Sequence, residues 1–484
     1  MSKKVFALDT KPGVQRDGTV FDKQYYNSGR WVRFQRGRPR KVGGYREIVN
    51  DLAGPSRGMY LNPQQDFNNV FSGYSGGLQS LPISNTGVGS GIIDLTLTGF
   101  TANSNNLWQF DTFYDVSGSG NNLLLAHPGQ NLTLIDNNVN TPVLGGSITG
   151  TSLSPIGVFT QVAATITSGS PNITLSTANV LIGAGQSVSG TGIPSGATVV
   201  SISTTALVIS APATANGSSV TLTFDNNVSV SGGVVTLHPY VFVYGNDGLI
   251  RNCSAGNAND WVSADANEVS VATGKIVQGL PVRGGSNAPS GLFWSLDSLI
   301  RVSYIGGVGT PPQFWRYDLI SSQSSILSSQ SVIEYDGVYY WCGVDRFLLY
   351  NGVVKEISNT FNQNYFFDNL NYAQREKVWV TKIPRFGEIW WFYPRGNATE
   401  CTDAVIYNVR ENVWYDAGEA LGAQRSAGYF SQVFHYPISS DWNLNASGGI
   451  LTATITNAGS GYTNGTYNNT VLTGGTGSGA TANI

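Results

Sequence analysis

Residues 331–357 read "SVIEYDGVYYWCGVDRFLLYNGVVKEI". Short apolar and aromatic runs are separated by Asp336-Gly337 and Asn351-Gly352, dipeptides suited to tight hairpin turns, where positive φ is required. The stretch therefore predicts consecutive antiparallel strands. The same arrangement recurs in "NVFSGYSGGLQSL" (69–81), "NLLLAHPGQNLTLID" (122–136), "YVFVYGNDGLIRNC" (240–253), "GLFWSLDSLIRVSY" (291–304) and "EIWWFYPRGNATECTDAVIYNVRENVWYDAG" (388–418). Asn246-Asp-Gly248 supplies another hairpin signal, and Trp108, Trp261, Trp315 and Trp414 each stand near one end of a unit. Uneven hairpin repeats of this kind predict an all-β, β-propeller-like body with aromatics filling the wedges between blades. An ordinary multi-sheet sandwich is the alternative, since no WD or Kelch signature repeats.

Composition agrees with short strands and tight turns. Only 12% of the 484 residues are charged, about half of the usual roughly 25%, while 59 are Gly and 11% are aromatic. Cys253, Cys342 and Cys401 stand singly, without the pairing of a secreted disulfide framework, and are read as buried thiols of a protein matured in a reducing cytoplasm. The start "MSKKVFALDTKPG" lacks a signal-peptide core, and no apolar run approaches the ~20 residues of a membrane span. A soluble protein with no membrane span is expected.

Charge maps the domains. Residues 1–60 hold thirteen Lys or Arg against five Asp or Glu, a charge of +8 that leaves −11 for the rest. No Lys or Arg lies between Arg57 and Arg251, and nothing in 137–224 is charged at all. Within that gap "VAATITSG", "NITLS", "ATVVSIS", "ALVIS" and "SVTLTF" alternate as strands, which predicts a small β-sandwich or barrel inserted at 151–224, with the sandwich taken as the working expectation. The division is then a basic segment 1–60, a body 61–150 and 225–440, the insertion, and a Gly/Thr-rich β module 441–484. One helix is expected near 358–376, where Phe361, Tyr365, Phe366, Leu370 and Ala373 fall close to i, i+4, i+8 spacing and Ser358 or Asn359 serves as N-cap.

Catalytic patterns are sparse. His127, His238 and His435 have no metal spacing, so no metal or cofactor is expected. "GVGSG" (87–91) has the letters of a nucleophile elbow without the following helix, and "GTGSG" near the C-terminus lacks the strand-to-helix setting of a phosphate loop. A propeller glycosidase needs two facing carboxylates; Glu334, Asp336, Glu388, Glu400 and Asp403 are candidates, but most sit at turns, where acids serve conformation.

The densest charge is "RWVRFQRGRPRKVGGYR" (30–46), carrying Arg30, Arg33, Arg36, Arg38, Arg40, Lys41 and Arg46. Three readings apply: an edge strand with arginines in solvent while Trp31, Val32 and Phe34 pack; contact with DNA phosphates; or docking on an acidic protein surface, where Arg favours bidentate pairing with carboxylates. With strand-like alternation and no recognition helix, assembly ranks above DNA binding.

The basic "RGRPRKVGGYREI" (36–48), the "SRGMYLNPQQDFNNVFSGYSGGLQ" that follows (56–79), and the late "SVIEYDGVYYWCGVDRFLLYNGVVKEISNTFNQNYF" (331–366) and "KVWVTKIPRFGEIWWFYPRGNATECTDAVIYNVRENVWYDAG" (377–418) together resemble the tail hub or nozzle proteins of short-tailed bacteriophages, including packaged-DNA stabilisation proteins. The resemblance covers 1–135 and 225–440. It implies a non-enzymatic virion protein of the phage tail, made in the host bacterial cytoplasm: a homo-oligomer, as a ring of six below portal and adaptor, that retains packaged DNA and conducts it during ejection. Implied partners are the adaptor or head-to-tail connector, tail fibre or needle proteins, and double-stranded DNA passing without sequence specificity. The rival reading is a host-surface, glycan-binding adhesin or tail-fibre-like protein whose uncharged modules present exposed aromatics.

Overall fold

Turn chemistry dictates blade after blade. In the computed structural model the stretch quoted first forms one complete four-stranded antiparallel meander, Val332–Tyr335, Val338–Cys342, Phe347–Tyr350 and Val354–Glu356. Its first turn places Asp336 at φ 50° and Gly337 at φ 78°, the left-handed pair its sequence requires. The structure describes residues 10–18, 24–49, 52–62, 67–84, 89, 91–130, 133–136, 153–283, 288–418, 424–442, 470–471 and 481–482.

Six such four-stranded sheets follow one another: blade one within Gly58–Asp94, two within Gln109–Pro155, three within Gly233–Ser270, four within Ile276–Ser321, five as above, and six within Trp379–Asp416. A seventh sheet, two-stranded among the described residues, pairs Arg425–Tyr429 with Ile438–Asp441. The first strands of blades one, two, three and four lie side by side in order, as do those of five, six and seven, and that of seven lies against that of one. Blades four and five meet through Trp294 and Trp341, whose rings are 5.8 Å apart. The sheets therefore close into a propeller.

The wedges are aromatic as expected. Trp108 packs between blades one and two, Trp261 between two and three, Trp315 between three and four, and Trp414 between five and six. Two indole N–H groups also tie chain segments together: Trp108 donates to Tyr74 O across the first wedge at 2.8 Å, and Trp391 of blade six donates to Ser331 O, just ahead of blade five, at 2.9 Å.

Two expectations change. The insertion runs from Val158 to Asp225, because Leu153–Pro155 is the outer strand of blade two, paired with Leu134–Asp136. It is one six-stranded sheet, not a sandwich, and its two edge strands meet: Ser187 bridges Thr198, and Val188 N donates to Ala197 O at 3.0 Å. That closure makes a small barrel, filled by Ile166, Leu207, Leu222 and Phe224 among others. Its neck is narrow: Asn226 holds Gly157 O through both its backbone and its side chain, so both ends leave blades two and three at one point. The helix is also shorter than expected. It spans Gln363–Asn369 with Asn362 as N-cap, and a 3-10 turn Tyr372–Lys377 follows. The Gly/Thr-rich module 441–484 lies outside the described residues except for Asp441, Trp442 and the paired Thr470–Val471 and Thr481–Ala482.

Blade two holds a pH-sensitive group. His127 is fully buried; its Nδ1 accepts from Gly129 N and its Nε2 donates to Val230 O, each at 2.9 Å, an arrangement that only the neutral ring satisfies. Burial, with Lys275 nearby, pushes its pKa down to about 4. The unfolded ring takes a proton near pH 6.5 and the folded one only near 4, so the contribution of His127 is complete above about 6.5 and is lost as pH falls toward 4. Asp111, desolvated at the axis and raised to about 6, has the opposite sign: its contribution is present at low pH and lost as pH rises through 6. The wild-type curve therefore partly conceals both. Denaturant titrations of wild type and His127→Asn are expected to show their stability gap shrinking by up to about 3 kcal/mol between pH 7 and pH 4.

Candidate functional site

The N-terminal segment does not form a domain of its own; it straps over the propeller where the ring closes. Lys11–Val14 pairs with Tyr25–Tyr26, and Val32–Gln35 forms a hairpin with Arg38–Lys41 whose turn has Arg36 at φ 53° and Gly37 at φ 71°. Val14, Phe34 and Val42 pack on blade six. Farther along, Ile48 and Val49 join the cluster shared by blades one and seven.

Arginine–carboxylate pairs fasten this strap. Arg16 meets Asp416 bidentately at 2.8 and 3.0 Å, and Arg57 meets Glu400, which also receives Lys377 at 3.0 Å. Arg33 donates Nε and Nη2 to Glu388 at 2.9 and 3.0 Å, with its guanidinium 3.6 Å from the Phe386 ring centre. Glu388 is wholly buried and accepts two further bonds, from Tyr415 Oη at 2.7 Å and Trp390 Nε1 at 3.0 Å. The carboxylate of Glu411 receives the N–H groups of Arg36 and Gly37, fixing the hairpin turn through backbone alone.

These contacts sort the seven basic residues singled out from the sequence. Arg33 is buried and engaged within its own chain, so it is not part of an assembly or DNA surface. Arg36, Arg38, Arg40 and Lys41 are brought together at the hairpin tip and along its outer strand, every residue of which is exposed. Arg30 and Arg46 are exposed elsewhere on the strap. Among the described residues the outer strand pairs only with Val32–Gln35, and Pro39 removes a donor from its free edge. Contacts at this edge are therefore made by side chains rather than by adding a strand.

The carboxylates considered for glycoside chemistry have other partners. Glu388 and Glu400 hold the strap, Glu334 pairs with Lys382 at 3.2 Å, Thr402 Oγ1 donates to Asp403 at 2.7 Å, and Asp336 forms the blade-five turn. "GVGSG" falls largely outside the described residues. Among the described residues, no group of three or more His, Cys, Asp or Glu is placed to hold a metal, and no helix is long and apolar enough to cross a membrane. The three cysteines are buried and unpaired, and burial pushes each thiol pKa up. In the barrel, Phe224 is buried and Phe159 stacks on it at 5.6 Å, so both of its aromatics turn toward its core.

Sequence reading missed the end of the axis where the innermost strands begin. There Gln109 donates to Gly232 O and Val277 O, both at 3.1 Å, and Gln330 reaches Arg57 O and Trp108 O at 2.5 and 3.1 Å. Lys275 and Arg375 line the cavity beside them. The available signal was position: Gln109 opens the first strand of blade two, and Lys275, Gln330 and Arg375 lie just ahead of the first strands of blades four, five and six.

No family model and no curated protein matches the chain. Among solved structures it is similar to a phage phi92 endosialidase, at 12% identity and TM-score 0.31, over 82% of this chain. The match spans 65% of that protein, less than two thirds of its length.

Proposed function

We propose that this chain is a structural protein of a short-tailed phage tail, the nozzle or hub, assembling as a ring that retains packaged DNA and conducts it on ejection. The observation that carries the reading is the outer hairpin strand Arg38–Lys41 with the adjoining Arg36: four cations, all exposed, on a segment clamped to the body by one buried and two part-buried ion pairs. Rigidly presented arginines suit head-to-tail docking on the acidic remainder of a second copy or on an acidic adaptor. The sequence resemblance to nozzle proteins supports the same reading: it spans the strap and most of the blades, and it skips the stretch that holds the barrel. Labelling the chain in purified particles tests it. Density on the tail axis below the portal is expected; density at the tail periphery would contradict it.

The barrel supports a second reading, an adhesin. Its surface is nearly uncharged and exposes Val162, Val180 and Val200, and it stands on a single neck. Glycan-array binding that disappears on deleting 158–225 would favour this role.

A further inference from the structure

The chain has three Asn-Gly dipeptides, Asn216-Gly217, Asn351-Gly352 and Asn464-Gly465, of which the last lies outside the described residues. The other two share a sequence and differ in structure. Asn216 Oδ1 accepts from Ser168 N at 2.8 Å, and Gly217 begins the barrel strand Gly217–Asp225, opposite Ile166. Asn351 and Gly352 form the exposed turn between the third and fourth strands of blade five. Among the described residues neither the Asn351 carboxamide nor the Gly352 N–H has a hydrogen bond. Gly352 stands at φ 108° with open space where a side chain would be, and Val353 beside it is 61% exposed.

The reaction open to such a pair needs only water. The Gly352 nitrogen gives up its proton to hydroxide and attacks Cγ of Asn351; the new N–Cγ bond closes a cyclic imide, and the side-chain nitrogen leaves as ammonia. Water then opens the imide at either carbonyl. One opening gives aspartate, and the other gives isoaspartate, with the main chain running through the former side chain. The rate depends on the freedom of the carboxamide to reach the nitrogen and on the ease of deprotonating that nitrogen. Blade five supplies its own contrast. At its other turn the Gly337 N–H donates to the Glu334 carboxylate at 2.7 Å, and a charged acceptor holds the proton on that nitrogen.

We propose that Asn351 is a self-modification site, converting with age to aspartate and isoaspartate while Asn216 stays intact. Each event places a carboxylate on a neutral turn. The equivalent turn of blade six carries Glu411, which grips the strap hairpin, so the new charge arises at the end of the propeller that presents Arg36. The chemistry requires one chain and no partner, so it stands or falls separately from the nozzle reading.

Ageing the full chain in warm, mildly alkaline buffer made with heavy-oxygen water, followed by digestion and mass spectrometry, tests it. Trypsin releases the peptide 347–355, in which Asn351 is the only side-chain amide, and chymotrypsin releases 208–222, in which Asn216 is the only one. In the folded chain heavy oxygen is expected to enter at Asn351 at least about tenfold faster than at Asn216, which must first break its bond to Ser168 and open the strand end. In urea the two are expected to convert at similar rates. Equal rates in the folded chain, or faster conversion of Asn216, would overturn the proposal. So would an intact Asn351 in the folded chain at a time when the urea-unfolded chain has converted.

Discussion

Glu388→Ala is expected to lower the unfolding free energy by about 3–5 kcal/mol, read as the shift in denaturant midpoint at constant slope. Glu388 has no exposed surface and receives four donors from three residues, the bidentate Arg33, Tyr415 and Trp390. Removing it leaves the Arg33 guanidinium buried over Phe386 with no counter-charge and strands the Tyr415 hydroxyl and Trp390 N–H. Arg33→Ala should cost a similar amount, because it abandons the carboxylate instead. The double variant Arg33→Met with Glu388→Met is expected to recover much of the loss, since an apolar pair of similar volume needs no compensation. If both single variants cost less than about 1 kcal/mol, the typical worth of an exposed pair, the strap is not held by this network.

Trp391→Ala is expected to cost about 3–5 kcal/mol as well, by opening a cavity in the wedge between blades five and six. Trp391 is fully buried, 5.1 Å from the Phe347 ring and 6.0 Å from that of Trp414, and its N–H satisfies Ser331 O. Trp391→Phe separates the two contributions. It keeps most of the apolar volume but loses the N–H, and should cost about 1–3 kcal/mol for the stranded carbonyl. A Phe variant as damaging as the Ala variant would assign the role of Trp391 to the hydrogen bond rather than to filling the wedge.

The parts of the fold that are local in sequence were legible. Asp336-Gly337 states its own backbone conformation, and aromatics near strand ends have few places to go but between blades. The charge gap likewise reported the insertion. The choice of barrel over sandwich did not show, because the meeting of Ser187 with Thr198 is a sheet-edge contact that side-chain alternation does not encode. The boundary moved for a similar reason: Leu153–Pro155 has the composition of the insertion but completes the hydrogen bonding of blade two.

The basic stretch was misread at one residue for a physical reason. Alternation placed Arg33 in solvent because a strand with one covered face exposes every second side chain. Here both faces are covered: Phe34 packs against Tyr26 and Tyr415, and Arg33 packs against Phe386 and Glu388. The partner of Arg33 lies 355 residues away in the chain, beyond any local pattern. Lys275 and Arg375 were invisible for the same reason, since only ring closure brings the starts of blades four and six to one cavity.

The central claim is that the basic segment divides its charge between clamping its own propeller and docking to another surface. Sedimentation equilibrium of the full chain and of the variant Arg36→Ser, Arg38→Ser, Arg40→Ser tests it most directly. Glu411 grips the turn through backbone N–H groups, so the variant should unfold where wild type does. The wild-type chain is expected to sediment as a multi-chain ring that weakens as salt rises, and the variant as a 51.6 kDa monomer. A variant that forms the same ring at the same concentrations would contradict the claim.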